Sequence, residues 1–554
     1  MDAESNPFLD ATSWDLLVAM AARHREREAL VCVDERVTYA ALLGRVERLA
    51  HGLAALGLAR GDRLAIWLPN RPAWFEAQQA AARLGVIVVA LNPRYRAHEL
   101  GYILRQSGSS ALLVTDHLGP IDYLQVLDEV VPELRAAAPG EVRSGALPAL
   151  RHVIVDAEDP YPGCWRLADL ADPGAGGELP APPRPDDVFT ILYTSGTTSF
   201  PKGAMITHRN CVPHGWACGE VLRLTPDDRV LHALPAAGTW GGVNIPLTTW
   251  SHGATLVLME TWDPRRALIL VERERCTVLN AVDTMLAPLL AHPDLDRHDR
   301  SSLRTGGFAA VGGGGHGMFE AVVERLGVRQ AFQPYGMTEV NAMALLHDLD
   351  EPVALRAEPG IRPAPGLEVR VVHPDTGRPC APGEEGELQF RGRLVTQGYY
   401  DKPDETRAAF TEDGWFRSGD LGVQDGRGHT IFRGRLKETL RISHHMVAPG
   451  EIEAFLMTHP DVAQAFVVGI PDPVTNEAPV AYVIPKPGAR VDEATLQAFC
   501  RGKIATFKIP RRIRFVVDVP RTPSPHGDKV QRVKLREQAM KEMASRAASI
   551  GSGD

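Results

Sequence analysis

The chain has 554 residues, with 60 Lys and Arg against 69 Asp and Glu, for a formal net charge of −9. That acidic balance argues against a nucleic-acid binder, because phosphate contacts need clustered positive charge. Hydrophobic residues at 44% and charged residues at 23% are those of a globular chain and exclude disorder as the main state. At ~150 residues per domain, the length corresponds to roughly three to four domain-sized units.

In chain order, the N-terminal stretch MDAESNPFLDATSWD carries acids where a signal peptide has lysine or arginine. The longest apolar runs, such as Leu84 to Leu91, fall far short of the ~18 residues that span a bilayer. Seven scattered cysteines with no CxxC pair fit a reducing compartment. These features predict a cytoplasmic protein without a membrane span.

A strand is predicted at Arg63–Leu68, a helix over AWFEAQQAAARLG and a strand over VIVVAL, which ends at Asn92-Pro93; HELGYILRQSG and ALLVTD repeat the pattern. Such alternation means βαβ units and a mostly parallel sheet. Residues 171–187 read as a Pro/Gly-rich linker, and VFTILYTSG as a strand running into a turn. GEEGELQFRGRLVTQGYY is β-like and Gly-rich. Beyond it a smaller αβ pattern begins. PGEIEAFLMTHP is an amphipathic helix with Ile452, Phe455 and Leu456 on one face, and ATLQAFCRGK is a second helix. AQAFVVGI, VAYVIPK and IRFVVDV are strands. The predicted domains are 1–434 and 435–554.

The sharpest local signal is YTSGTTSFPKG, residues 193–203. Thr194, Ser195, Gly196, Thr197 and Thr198 offer backbone N–H groups and hydroxyls without bulky side chains, and Lys202 adds a positive charge. Such a turn can wrap phosphate oxygens. It is not a Walker A loop, since no GK[ST] follows at the right spacing. Composition by itself leaves an ordinary polar turn open.

With the Thr207-His208-Arg209-Asn210 that follows, this segment resembles the phosphate loop of the adenylate-forming superfamily, in its acyl-CoA synthetase branch. Four further segments resemble that family's motifs in its order: Tyr335-Gly336-Met337-Thr338-Glu339, then Gly414 to Gly422 (GWFRSGDLG), then Gly434-Arg435-Leu436-Lys437-Glu438, then Pro449-Gly450-Glu451-Ile452-Glu453. The resemblance implies an α/β fold. Its large N-terminal domain would hold two αβαβα-type parallel-sheet subdomains and a β-barrel-like subdomain, and a small mobile α+β domain would follow.

The resemblance also implies roles. Tyr335 would lie against adenine, Thr338 would contact phosphate, and Glu339 would hold Mg2+. Asp420 and Arg435 would bind the ribose, and Lys437 would be the hinge. Lys529 would be the adenylation catalyst. ATP, coenzyme A and a carboxylic acid are the implied ligands, the acid being activated as its acyl-adenylate before thioester formation.

Four departures qualify this picture. Ser199 stands where the family usually has glycine. About three extra residues precede Lys529 in the stretch Pro520 to Arg532. These two predict that adenylation is weakened or lost, so that the enzyme mainly converts an acyl-AMP to the thioester. A complete ATP-dependent synthetase is the alternative. Ser443 and His444 replace a glycine pair lining the coenzyme A tunnel, which leaves a carrier-protein thiol open as the acceptor.

In the implied acyl pocket, Ala237, Gly238, Trp240 and Gly241, with Gly312, Gly313 and Gly314, put small residues where larger ones are usual. Missing side chains create volume, which predicts a bulky apolar acid, unless Trp240 fills the space. A separate adenylating enzyme and a homodimer remain open.

Two competing readings are weaker. Gly312, Gly314 and Gly317 satisfy GxGxxG, but no acid follows about 20 residues on at a strand end. His208, Cys211, His214 and Cys218 have spacings that could invite zinc, but a helical Cys/His mix around Pro213 is more often core.

Overall fold

A computed structural model describes all residues except 1–4, 172–176, 195–200, 310–314, 375, 437–439, 444, 448, 523–528 and 551–554. The chain divides into two compact units, one of residues 1–193 and 203–434, the other of 194–202 and 435–554.

The larger unit holds two sheets of mainly parallel strands. In the first, the spatial order is Lys202–Thr207, Val188–Thr194, Ile87–Ala90, Arg63–Trp67, Ala111–Thr115, His152–Asp156 and Trp165–Arg166. Leu64 lies opposite both Val88 and Ala111. Ala111–Thr115 is buried at every position, as expected of parallel strands covered by helices on both faces. The helix Pro72–Leu84 begins with proline at its first position and ends at Gly85, whose φ of 70° is the left-handed cap. Proline's fixed φ suits a helix start, and glycine alone takes the cap without strain.

The second sheet joins strands from Glu28–Cys32 to Gln330–Phe332, and its Glu35–Thr38 strand is antiparallel to Glu28–Cys32. A third part is antiparallel. Leu367–Val372, Glu385–Gly392, Phe416–Gln424 and Thr430–Arg435 form a four-stranded meander, beside a short ribbon of Leu345–Leu346 and Arg362–Pro363.

The smaller unit is α+β. Val462–Asp472 and Asn476–Pro485 form a long antiparallel hairpin, and Arg512–Phe515 runs parallel to its second strand. The strand period of two sends alternate residues to opposite faces. Val467, Ala481 and Val483 enter one core with Ile452, Phe455, Leu456 and Leu496. Val468, Val480 and Tyr482 enter the other with Leu535 and Ala539, from the helix Arg532–Ile550.

Candidate active site

Tyr335 to Leu345 forms a tight loop. The Tyr335 N–H donates to the Leu345 carbonyl at 3.1 Å, and the Leu345 N–H returns the bond at 2.9 Å. Between them lie a short 3-10 turn, Thr338–Val340, and two residues in the left-handed region, Asn341 at φ 59° and Ala342 at φ 70°. A Cβ on Gly336 would lie 1.1 Å from the Ala342 carbonyl oxygen. The glycine of this motif is therefore dictated by backbone meeting backbone.

The loop delivers three of the sequence-predicted residues. Tyr335 is buried, with its ring stacked on Phe390 and Phe432 at centroid distances of 6.0 and 5.1 Å. Its hydroxyl donates to Asp420 Oδ2 at 2.6 Å. Asp420 is 2% exposed, and its N–H donates to Ser418 Oγ at 3.0 Å. Gly419 takes φ 66°, and its N–H donates to Glu387 Oε1 at 3.2 Å. The Ser-Gly-Asp signature thus has a local reason: a hydroxyl to receive the aspartate's N–H, and a left-handed residue to turn the chain. In this conformation Tyr335 holds Asp420, a role the sequence did not predict.

Glu339 is buried, and Thr338 is half-buried. The Tyr399 hydroxyl donates to Glu339 Oε1 at 3.0 Å, and the Thr396 N–H donates to the Glu339 carbonyl at 2.7 Å. The same segment joins the strand that leaves the phosphate loop. The Tyr400 N–H donates to the Gly203 carbonyl at 2.8 Å, and the Met205 N–H to the Gly398 carbonyl at 2.9 Å. Gly203 leaves no room for a side chain, since a Cβ would lie 2.5 Å from Ile191. Thr194 ends its strand and Lys202 begins the next, while Ser195, Gly196, Thr197, Thr198 and Ser199 lie outside the described residues. Tyr399 and Thr396 escaped sequence reasoning because their partner is some 60 residues away.

The Thr207-His208-Arg209-Asn210 continuation is a capping box. Thr207 Oγ1 accepts the Asn210 N–H at 3.1 Å, and Asn210 Oδ1 accepts the Thr207 N–H at 2.9 Å, which starts the helix His208–Val221. Asn210 Nδ2 then donates to the carbonyls of Arg393 and Val395. His208, Cys211, His214 and Cys218 are buried along this helix. Burial lowers His208 and His214 to about 4 and raises Cys218 to about 12, so all three stay neutral near pH 7. Among the described residues no group of three or more His, Cys, Asp or Glu could hold a metal ion.

The segment expected to line the acyl pocket follows the strand Arg229–His232 and contains the π-helix Thr239–Asn244, a form often found at functional sites. At Gly241 and Gly242 the missing side chains make room for backbone and not for open volume. A Cβ on Gly241 would lie 2.2 Å from the Pro235 carbonyl oxygen, and one on Gly242 1.8 Å from that of Ala236. These glycines let the π-helix press on the loop that precedes it. Gly238 is exposed and Ala237 half-buried, and a Cβ at 238 would meet nothing closer than 3.5 Å. The Trp240 ring lies against Gly307, where an added Cβ would sit 3.1 Å from it. Gly312, Gly313 and Gly314 lie outside the described residues.

In the smaller unit, Ser443 turns the chain between Leu440–Ile442 and His445–Val447 at φ 56°, and its N–H donates to the Thr475 carbonyl at 2.6 Å. Serine therefore takes a conformation that favours glycine. Arg435 ends the strand Thr430–Arg435. Lys529 begins the two-residue strand Lys529–Val530, antiparallel to Arg521–Thr522 with Lys529 opposite Thr522. Lys437, His444 and the residues inserted before Lys529 lie outside the described residues.

A parallel-sheet scaffold, a buried Tyr–Asp pair and a buried glutamate in a glycine-dictated loop point to an enzyme that handles a nucleotide. Residues 17–400 match the AMP-binding enzyme family, and residues 451–525 match the AMP-binding enzyme C-terminal domain. The putative acyl-CoA synthetase YngI of Bacillus subtilis is 37% identical over 96% of this chain and 98% of its own length. The mitochondrial medium-chain acyl-CoA ligase of Mus musculus is 34% identical over 96% of this chain and 88% of its own. Among solved structures, a double mutant of the o-succinylbenzoate CoA synthetase of Bacillus subtilis, bound to a product analogue, is similar with a TM-score of 0.78. It is 27% identical, with 95% of this chain and 99% of that one covered.

The chain belongs to the AMP-binding enzyme family and, within the adenylate-forming superfamily, to its acyl-CoA synthetase branch. It is an acid–thiol ligase of the acyl-CoA synthetase type. Among the described residues no helix is long and apolar enough to cross a membrane.

Proposed function

We propose that this enzyme carries out the complete ATP-dependent reaction: activation of an apolar acid larger than acetate as its acyl-adenylate, then transfer to coenzyme A. The observation that carries this reading is the pairing of Lys529 with Thr522. The extra residues before Lys529 fall between paired positions, and the strand that Lys529 begins is formed.

The Asp420 carboxylate would receive the ribose hydroxyls, and Tyr335 keeps it oriented. Arg435 would add a second ribose contact. Thr194 to Thr198, Lys202 and Thr338 would hold the phosphates. Catalysis of the first step is then mostly positioning and charge neutralisation. Glu339 fits Mg2+ as a single buried carboxylate, since that ion commonly takes one or two carboxylates and completes its shell with water and phosphate oxygens. When bound it would neutralise triphosphate charge. Thioester formation would follow rotation of the 435–554 domain about Lys437, with Ser443 and His444 beside the incoming thiol.

Close packing at Gly241 and Gly242, and the Trp240 ring over Gly307, favour a pocket of moderate size over one for a polycyclic acid. A relative named as a medium-chain ligase supports the same choice. Ser199 favours the second reading, in which a ready-made acyl-adenylate is the substrate. The two separate on acid-dependent ATP–pyrophosphate exchange with acetate, octanoate and an aromatic acid. Exchange with octanoate above acetate supports the complete reaction. No exchange with any acid, while synthetic acyl-adenylate plus coenzyme A yields thioester, establishes the second.

A further inference from the structure

We infer that Glu453 and Arg532 form a clamp that sets the position of Lys529, and are positioning residues for the adenylation step; this rests on the reading that Lys529 serves acid activation. Arg532 lies three residues beyond Lys529 and is the first residue of the helix Arg532–Ile550. Its two terminal nitrogens engage both carboxylate oxygens of Glu453, with Nη2 to Oε2 at 2.9 Å. Nη1 also donates to the Val467 carbonyl at 2.7 Å, and the Val467 N–H donates to Glu453 Oε1 at 2.6 Å. Glu453 is 8% exposed, on the helix Pro449–Leu456. The helix Pro449–Leu456, the strand Val462–Asp472 and the start of the last helix thus meet in one closed ring of charge-assisted bonds. A bidentate guanidinium–carboxylate pair is among the most directional contacts a protein makes.

From this ring to Lys529 the chain has little freedom. The Gln531 N–H donates to the Pro520 carbonyl at 2.8 Å, Val530 pairs with Arg521, and Lys529 with Thr522. The far side of the helix start is held as well, since the Tyr482 hydroxyl donates to the Leu535 carbonyl at 2.9 Å and Arg536 pairs with Glu477 at 2.9 Å. Lys529 is therefore placed from its C-terminal side. The extra residues fall between the paired positions Thr522 and Lys529, outside the described residues. An ångström-scale displacement of a catalytic group can lower a rate ~10²-fold, so a clamp three residues from the lysine bears directly on acid activation.

The test uses the full-length enzyme with Glu453→Gln, which keeps an oxygen for the Val467 N–H but loses the charge, and with Arg532→Lys. Three quantities are read on each: ATP–pyrophosphate exchange, conversion of synthetic acyl-adenylate by coenzyme A, and amide hydrogen exchange. The expected result is a ~10- to 100-fold fall in pyrophosphate exchange, with conversion of the preformed adenylate within about threefold of wild type. Amide exchange should quicken at 529–531 and stay unchanged in the helix Glu493–Cys500. An equal fall in both half-reactions would make the pair a general stabiliser of the domain and overturn the inference. So would unchanged pyrophosphate exchange, or unchanged amide protection at 529–531. If the wild-type enzyme shows no pyrophosphate exchange at all, the complete-reaction reading fails by itself, and the amide measurement still decides the clamp.

Discussion

The 335–345 loop and the 520–531 hairpin each hold residues of the proposed reaction, by opposite means. The loop is held by backbone packed on backbone, with Gly336 against Ala342 and two successive left-handed residues. The hairpin is held at its base by an ion pair and a few ladder bonds, on either side of residues 523–528. Packing tolerates no added atom where it acts, whereas a clamp at one end leaves length free at the other. The segment that resembles the family motif is unaltered in the first region and carries about three extra residues in the second.

The largest expected effect tests the packed side. Gly336→Ala should destabilise the larger unit by more than ~4 kcal/mol, because the new methyl and the Ala342 carbonyl cannot share the space. Thermal unfolding checks it, and a variant within a degree or two of wild type would contradict the packing argument.

Lys529→Ala should lower pyrophosphate exchange ~10²-fold or more while sparing thioester formation from synthetic adenylate. Next comes Tyr335→Phe, which deletes the hydroxyl on a buried carboxylate. It should remove ~1.5–3 kcal/mol of stability and raise the KM for ATP more than it lowers kcat; denaturant titration and initial rates read the two.

The pH dependence tests the core beside the site. Burial holds His208 and His214 near 4 and His232 near 3, below the usual 6.5. Folding thus keeps them neutral where the unfolded chain would protonate them. Their contribution is complete above pH 6.5 and is lost as pH falls from 6.5 through 4. The melting temperature should therefore slope down across that window. His232 is fully buried with neither ring nitrogen hydrogen-bonded, so His232→Leu should flatten the slope without lowering stability at pH 7.

The smallest effect belongs to the clamped side. Deleting residues 525–527 should change pyrophosphate exchange by less than about threefold, since the paired base keeps its register. A large gain would show that the added residues obstruct the lysine, and would favour the weakened-adenylation reading.

What was legible in the sequence follows the range of the constraint. Pro72 and Gly85 bound their helix, Gly336 and Gly419 sit where a side chain would clash or strain, and Thr207 with Asn210 caps a helix. Each reason lies within a few residues, so the motif announces it. The contacts of Tyr335 with Asp420, Tyr399 with Glu339 and Glu453 with Arg532 join residues 85, 60 and 79 apart. No local pattern marks them. Gly241 and Gly242 show a third case. A missing side chain can mean open volume or a close backbone approach, and composition does not distinguish them.

The smaller unit's sheet is covered on both faces by its own helices, and every described residue of its two cores comes from 440–539. A body built this way is a cooperative folding unit in its own right. Turning it about a hinge would leave its interior dry and its cohesion undiminished, so the alternation proposed for the two steps would need no partial unfolding.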